Sequence, residues 1–204
     1  VAMFDKLVIG KYVITEDGST VPAAYLTADE QEVTVEYNET AEVAFENIEK
    51  TGEIKVTKTT VGNINVSGIT FNLRGTSDSG RDIDIPAVTD ENGVAIFSEI
   101  PIGTYTIYED EKTVPTAYLV ADPQNVTVTY AETKEVPIEN KEKTGSITVH
   151  KTTEGQKNIE GIKFYLRGTS DSGRAIDIPA TTDKDGIAKF DGVPIGTYMV
   201  IEDE

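Results

Sequence analysis

A 93-residue period runs through this chain and constrains its fold more than any other feature. Residues 51–111 align with residues 144–204 without a gap, 39 of 61 positions being identical. The same shift aligns residues 4–50 with 97–143, where 28 of 47 positions are identical. A gapless shift over the whole length means tandem copies of one unit rather than unrelated domains. Residues 51–143 make one complete repeat. Residues 1–50 read as the C-terminal part of a preceding repeat, and 144–204 as the N-terminal part of a following one. The boundaries fall in Glu46-Asn47-Ile48-Glu49-Lys50-Thr51-Gly52 and Glu139-Asn140-Lys141-Glu142-Lys143-Thr144-Gly145, polar stretches too short to act as flexible linkers. The chain is therefore expected to be an excerpt of a longer array.

Within the complete repeat, apolar residues alternate with polar ones over short runs, the pattern of half-buried strands. The expected inward stripes are Ile54/Val56, Phe71/Leu73, Ile83/Ile85, Val94/Ile96, Tyr105/Ile107, Val126/Val128/Tyr130 and Val136/Ile138. Turn residues separate them at Gly62-Asn63, Ser77-Asp78-Ser79-Gly80, Asp90-Glu91-Asn92-Gly93 and Pro101-Ile102-Gly103. No segment holds a helical period. Seven or eight short strands in one repeat predict an all-β, immunoglobulin-like Greek-key β-sandwich, repeated in tandem. So small a sandwich has a thin core, and covalent reinforcement would matter to it.

Three polar residues continue these stripes on the inward side. Strand parity places Lys58 after Ile54 and Val56, Glu109 after Tyr105 and Ile107, and Asn140 after Val136 and Ile138. The incomplete repeats carry the same pattern, with Glu16 and Asn47 in one and Lys151 and Glu202 in the other. Frayed strand ends would leave all three solvated, but their common register across copies favours a shared site. A buried lysine shifts towards the neutral amine, a nucleophile, and a buried glutamate towards the neutral acid, a proton donor. Asparagine offers an amide carbon with ammonia as leaving group. Lys58 attacking Asn140 with help from Glu109 would form an isopeptide bond, once per repeat and without turnover.

The segments Gly52-Glu53-Ile54-Lys55-Val56-Thr57-Lys58, then Pro101-Ile102-Gly103-Thr104-Tyr105-Thr106-Ile107-Tyr108-Glu109, then Val136-Pro137-Ile138-Glu139-Asn140 resemble the Cna protein B-type domain. This is the SpaA-like, prealbumin-fold domain of Gram-positive surface proteins and pilins. The resemblance covers the complete repeat and both partial ones. It implies a β-sandwich, a self-formed Lys58–Asn140 bond catalysed by Glu109, and a stalk or pilin-shaft role outside the cell on the bacterial wall. Neighbouring repeats would be the partners. Such a bond would tie the first strand to the last and shield the residues between from tension. By analogy with a disulfide closing a loop of that length, it would be worth about 4–5 kcal/mol. Neither partial repeat can bond by itself, because Asn47 lacks a lysine and Lys151 lacks an asparagine. Lys151 of one chain and Asn47 of another are expected to complement head to tail.

Composition removes other classes. The formal charge of −18 argues against nucleic acid or an anionic membrane surface as partner, since those need clustered cations. The absence of cysteine excludes disulfides, thiolate metal sites and a cysteine nucleophile. No apolar stretch is long enough to span a membrane. Asp90-Glu91-Asn92-Gly93 and Asp183-Lys184-Asp185-Gly186 resemble part of a calcium loop but lack its remaining ligands, and hairpin turns explain them. Glu109, Asp110 and Glu111 do not make a glycosidase pair, because neighbours on a strand face opposite ways. No metal, cofactor or enzymatic activity is expected, and His150 is expected to be solvated. The alternative to a stalk is an adhesin module binding a host protein or glycan through loops, the repeated RGTSDSGR at residues 74–81 and 167–174 being the candidate.

Overall fold

A computed structural model describes residues 1–62, 65–155 and 159–203. The turn expected at Gly62-Asn63 includes Asn63, which lies outside the described residues. The described chain is all-β. No helix in it is long and apolar enough to cross a membrane.

Strands β1 (Gly10–Ile14) and β2 (Gln31–Val35) pair as an antiparallel two-stranded sheet. The next seven strands are β3 (Thr51–Thr60), β4 (Thr70–Ser77), β5 (Asp82–Val88), β6 (Val94–Pro101), β7 (Gly103–Glu109), β8 (Gln124–Val128) and β9 (Thr133–Asn140). They form two sheets of order β6-β3-β9 and β5-β4-β7-β8. β3 is antiparallel to β6 and parallel to β9, while the second sheet is antiparallel throughout. Strands β10 (Thr144–His150), β11 (Lys163–Ser170), β12 (Ala175–Thr181), β13 (Ile187–Pro194) and β14 (Gly196–Glu202) repeat the arrangement in part, as sheets β10-β13 and β12-β11-β14.

The two middle sheets close over one core. Ile54 and Val56 from β3, Val136 and Ile138 from β9, and Ala95 and Phe97 from β6 meet Phe71, Leu73, Tyr105, Ile107, Val126 and Val128 from the other sheet. Each large side chain buried this way contributes about 1.5–3 kcal/mol. The Tyr105 hydroxyl donates to the Pro101 carbonyl at 2.7 Å, and burial pushes its phenol up to about 12. Tyr198 makes the same bond to Pro194 at 2.8 Å.

Two expected stripes differ from the structure. Ile96 is 51% exposed, and it is Ala95 and Phe97 that point inward. The β3–β6 register pairs Ile54 with Phe97 and Val56 with Ala95, and opposed residues share a face. The large apolar pair Val94/Ile96 masks the true alternation, one member of which is only an alanine. Tyr130 is likewise half exposed, because β8 ends at Val128 and the chain turns at Ala131 with a φ of 58°.

Parallel pairing explains a further difference between copies. Residues 40–47 correspond to β9 but form no strand. β9 owes its ladder to β3, whereas residues 40–47 take part in no ladder among the described residues.

Gly52 lies where β3 begins, beneath the turn joining β8 to β9. A Cβ there would collide with the carbonyl oxygens of Thr129 and Glu132, whereas one at the corresponding Gly145 would meet nothing within 4 Å. Gly52→Ala is therefore expected to destabilise the middle unit by about 1–3 kcal/mol through overpacking. Gly145→Ala should leave the urea midpoint where it was.

Candidate functional site

Strand parity carries three polar side chains into one end of the middle sandwich. On β3 the inward series Ile54, Val56 ends in Lys58, and on the parallel neighbour β9 the series Val136, Ile138 ends in Asn140. The register sets Lys58 beside Ile138 and Thr60 beside Asn140, so lysine and asparagine come from adjacent strands of one sheet. Glu109 ends the inward series of β7 in the opposite sheet, opposite Phe71 of β4, and reaches across the sandwich. The Lys58 and Glu109 side chains are 0% and 1% exposed, and Asn140 is fully buried.

Glu109 joins the three. Its Oε2 accepts from Asn140 Nδ2 at 2.6 Å and from the Ala121 backbone N–H at 2.8 Å. Its Oε1 lies 3.7 Å from Lys58 Nζ. Asn140 Nδ2 also donates to the Leu119 carbonyl at 2.9 Å, so both amide protons have acceptors and the orientation of the amide is fixed. Lys58 Nζ donates to the carbonyls of Thr59 at 2.9 Å and Ile138 at 3.3 Å. Glu109 Oε1 and Asn140 Oδ1 are buried without a hydrogen-bond partner. Burial pushes the Lys58 amine below its ordinary value, against the opposing attraction of Glu109 and Glu139.

The connection between β7 and β8 closes the site. Ala117 and Tyr118 are 3% and 1% exposed, the Tyr118 hydroxyl donates to the Val61 carbonyl, and Leu119 and Ala121 supply the backbone groups that hold Asn140 and Glu109. Side-chain patterning does not single out these backbone partners. The recurrence of Ala-Tyr-Leu at residues 24–26 and 117–119 is the signal that could have found them.

The partial copies hold halves of the arrangement. Asn47 Nδ2 donates to Glu16 Oε2 at 2.6 Å and to the Leu26 carbonyl at 2.9 Å, and Glu16 Oε2 also accepts the Ala28 N–H at 2.9 Å. Lys151 pairs directly with Glu202 at 2.8 Å, and both are partly exposed. Where an asparagine is present, its amide and a backbone N–H hold one carboxylate oxygen; where none is, the carboxylate closes on the lysine.

The remaining candidates lie apart from this cluster. Asp90 Oδ1 accepts the N–H groups of Asn92 at 2.9 Å and Val94 at 2.8 Å, and the bond from Val94 is the larger influence holding its carboxyl below the usual range. Asp183 makes the same turn with Asp185 and Ile187. His150 is exposed on β10.

Residues 52–142 and 145–204 match the profile of the SpaA prealbumin-like fold domain. The chain belongs to that family. Over 97% of its length, the SpaA-family chain superposes on the TIE protein of Bacillus anthracis, with 26% identity and a TM-score of 0.67, and it spans 37% of that protein. A streptococcal ancillary pilin matches at 18% identity and a TM-score of 0.41, over 96% of this chain and 66% of the pilin. The shaft pilin SpaA of Lactobacillus rhamnosus GG matches at 15% identity and a TM-score of 0.37, over 74% and 87% respectively. No curated protein matches the sequence.

The lowered lysine has a consequence for stability. A lysine that folding holds below its ordinary value is protonated more readily in the unfolded chain, so stability rises with pH between the folded and the ordinary value and levels off above. In an Asn140→Ala variant, which has no amide carbon beside Lys58, urea unfolding should show stability gained as pH rises towards 10.5. Adding Lys58→Met should remove that gain.

Proposed function

We propose that residues 51–143 are one complete stalk repeat of a bacterial cell-surface or pilus-shaft protein, stapled by a Lys58–Asn140 isopeptide bond that the repeat forms by itself. The observation that carries this reading is Glu109, which holds the Asn140 amide at 2.6 Å while its other oxygen faces Lys58 Nζ at 3.7 Å, all out of water.

The chemistry follows from those atoms. The Lys58 ammonium passes a proton to Glu109 Oε1, and burial favours the neutral amine that results. The Nζ lone pair attacks Asn140 Cγ, forming the C–N bond as the carbonyl electrons move to Oδ1. Glu109, now the acid, protonates Nδ2, which it already touches, the Cγ–Nδ2 bond breaks, and the freed carboxylate takes the surplus proton from Nζ. One ammonia leaves and one amide remains, so each repeat reacts once.

SpaA-family membership supports an extracellular, wall-associated location. The mechanical logic supports a stalk. Tension entering at Thr51 and leaving past Asn140 would run along β3 to Lys58, through the new amide, and out, so residues 59–139 bear no load. Without cysteine, the staple is an amide that no reductant cleaves.

The intact mass of the purified chain should fall below the sequence mass by one ammonia. Lys58→Ala, Glu109→Ala and Asn140→Ala should each restore the sequence mass and lower stability by up to about 4–5 kcal/mol, the value for closing a loop of this size. An unmodified wild-type mass would overturn the bond and leave the fold untouched.

The two half-sites support the same chemistry between chains. Asn47 already sits on Glu16 and Lys151 on Glu202, so Lys151 of one 204-residue polypeptide bonds Asn47 of the next once β14 or β1 gives way to the other. A denaturing gel at high concentration should show a ladder that Lys151→Ala abolishes. Monomer alone would sink this form of association.

A further inference from the structure

The RGTSDSGR loop lies far in sequence from the proposed bond, and its nearest chemistry is a glutamate in the junction before it. In the turn between β4 and β5, the Ser79 hydroxyl donates to Glu49 Oε1 and Arg81 Nη1 lies 3.0 Å from Glu49 Oε2. One repeat later, in the turn between β11 and β12, Ser172 donates to Glu142 Oε1 and Arg174 Nη2 lies 2.9 Å from Glu142 Oε2. A guanidinium and a hydroxyl thus take one oxygen each of a carboxylate, at both junctions. The Glu142 side chain is 8% exposed and Ser172 is 1% exposed.

The loop is built to present these groups. Ser77 Oγ accepts the Arg81 N–H at 2.9 Å and lies 2.7 Å from Ser79 Oγ. Because Ser79 donates to Glu49, the remaining proton of the pair is that of Ser77, and the donors run in one direction from Arg81 N–H to the carboxylate. Ser170, Ser172 and Arg174 repeat these distances at 2.7 and 3.0 Å.

The backbone beside each glutamate is held from both sides. Lys50 donates its N–H to the Ala24 carbonyl at 2.8 Å, behind it, and accepts the Ile102 N–H at 2.9 Å, ahead of it. Ile102 in turn accepts the Asp78 N–H of the loop at 2.9 Å. Lys143 does the same with Ala117 at 2.8 Å and Ile195 at 3.0 Å, and Ile195 with Asp171 at 2.9 Å. Glu49 and Glu142 also form bridges with Tyr25 and Tyr118 of the segment before them. At the second junction Gly62 packs so closely on the Ser172 carbonyl that a Cβ would collide with it.

We propose that RGTSDSGR is a socket for the carboxylate of the preceding junction, and that this clasp fixes the orientation of each repeat on the next. The partner of the loop is a neighbouring repeat of the same array and not a host ligand. The proposal rests on the reading of the chain as a tandem array but not on the isopeptide bond. The clasp opposes the relative motion that domains joined through small polar interfaces ordinarily show.

The absence of native cysteine allows a direct test. Spin labels at Lys134→Cys and Lys184→Cys, both exposed, report the distance between the second and third units by pulsed electron resonance. The otherwise unaltered chain should give one narrow distribution, and Glu142→Ala or Arg174→Ala should each broaden it at least about twofold by releasing the hinge. Asp171→Ala, which keeps the Asp171 N–H bond to Ile195 and removes only a side chain outside the clasp, should leave the width unchanged. Unchanged width in Glu142→Ala, or equal broadening in Asp171→Ala, overturns the clasp. Intact mass on the same samples reads the isopeptide bond separately, so failure of one reading is distinguishable from failure of the other.

Discussion

The parallel pairing of β3 with β9 is the constraint on which the middle unit depends. β3 is hydrogen-bonded on both edges, and its inward residues fill the centre of the core. A parallel partner cannot be supplied by a tight hairpin, so β9 follows the second sheet in the chain and returns to β3. Closure of the sandwich is therefore a long-range event that brings the two ends of the unit together. The same pairing places Lys58 and Asn140 on neighbouring strands. Residues 40–47, which pair with no such strand, form none themselves.

Glu109 comes from the other sheet, and this makes the cluster dependent on tertiary structure rather than on local geometry. The lysine and asparagine share one sheet, but their environment is completed only when β7 packs across them and the segment carrying Tyr118, Leu119 and Ala121 covers the end. The proposed bond formation, which requires a buried amine, would thereby depend on a formed core. An unfolded or half-folded chain keeps its lysines solvated and unreactive at neutral pH.

Much of the fold was legible in the sequence because period 2 is a local property. The alternation on β3, β7 and β9 is carried by large apolar residues, so it places Lys58, Glu109 and Asn140 on the inward face without reference to any other strand. β6 shows where this breaks down: Ala95 is too small to mark the core side, Val94 and Ile96 mimic a stripe, and only the ladder with β3 decides between them. The backbone partners of the cluster were illegible for a different reason. Every residue carries a carbonyl and nearly every residue an N–H, so no side chain announces that Leu119 or Ala121 is the one used. The two RGTSDSGR loops were visible as words but not as contacts, since their partner lies some 30 positions earlier, in a stretch whose composition suggests only a solvated link.

Lys50 and Lys143 each give their N–H to one unit and their carbonyl to the next, leaving no slack residue between them. A strand entered one residue early or late would present its other face to the core. A single-residue insertion or deletion at the junction would disrupt this shared bonding, whereas the gain or loss of an entire 93-residue module preserves it. Length in this architecture is quantised.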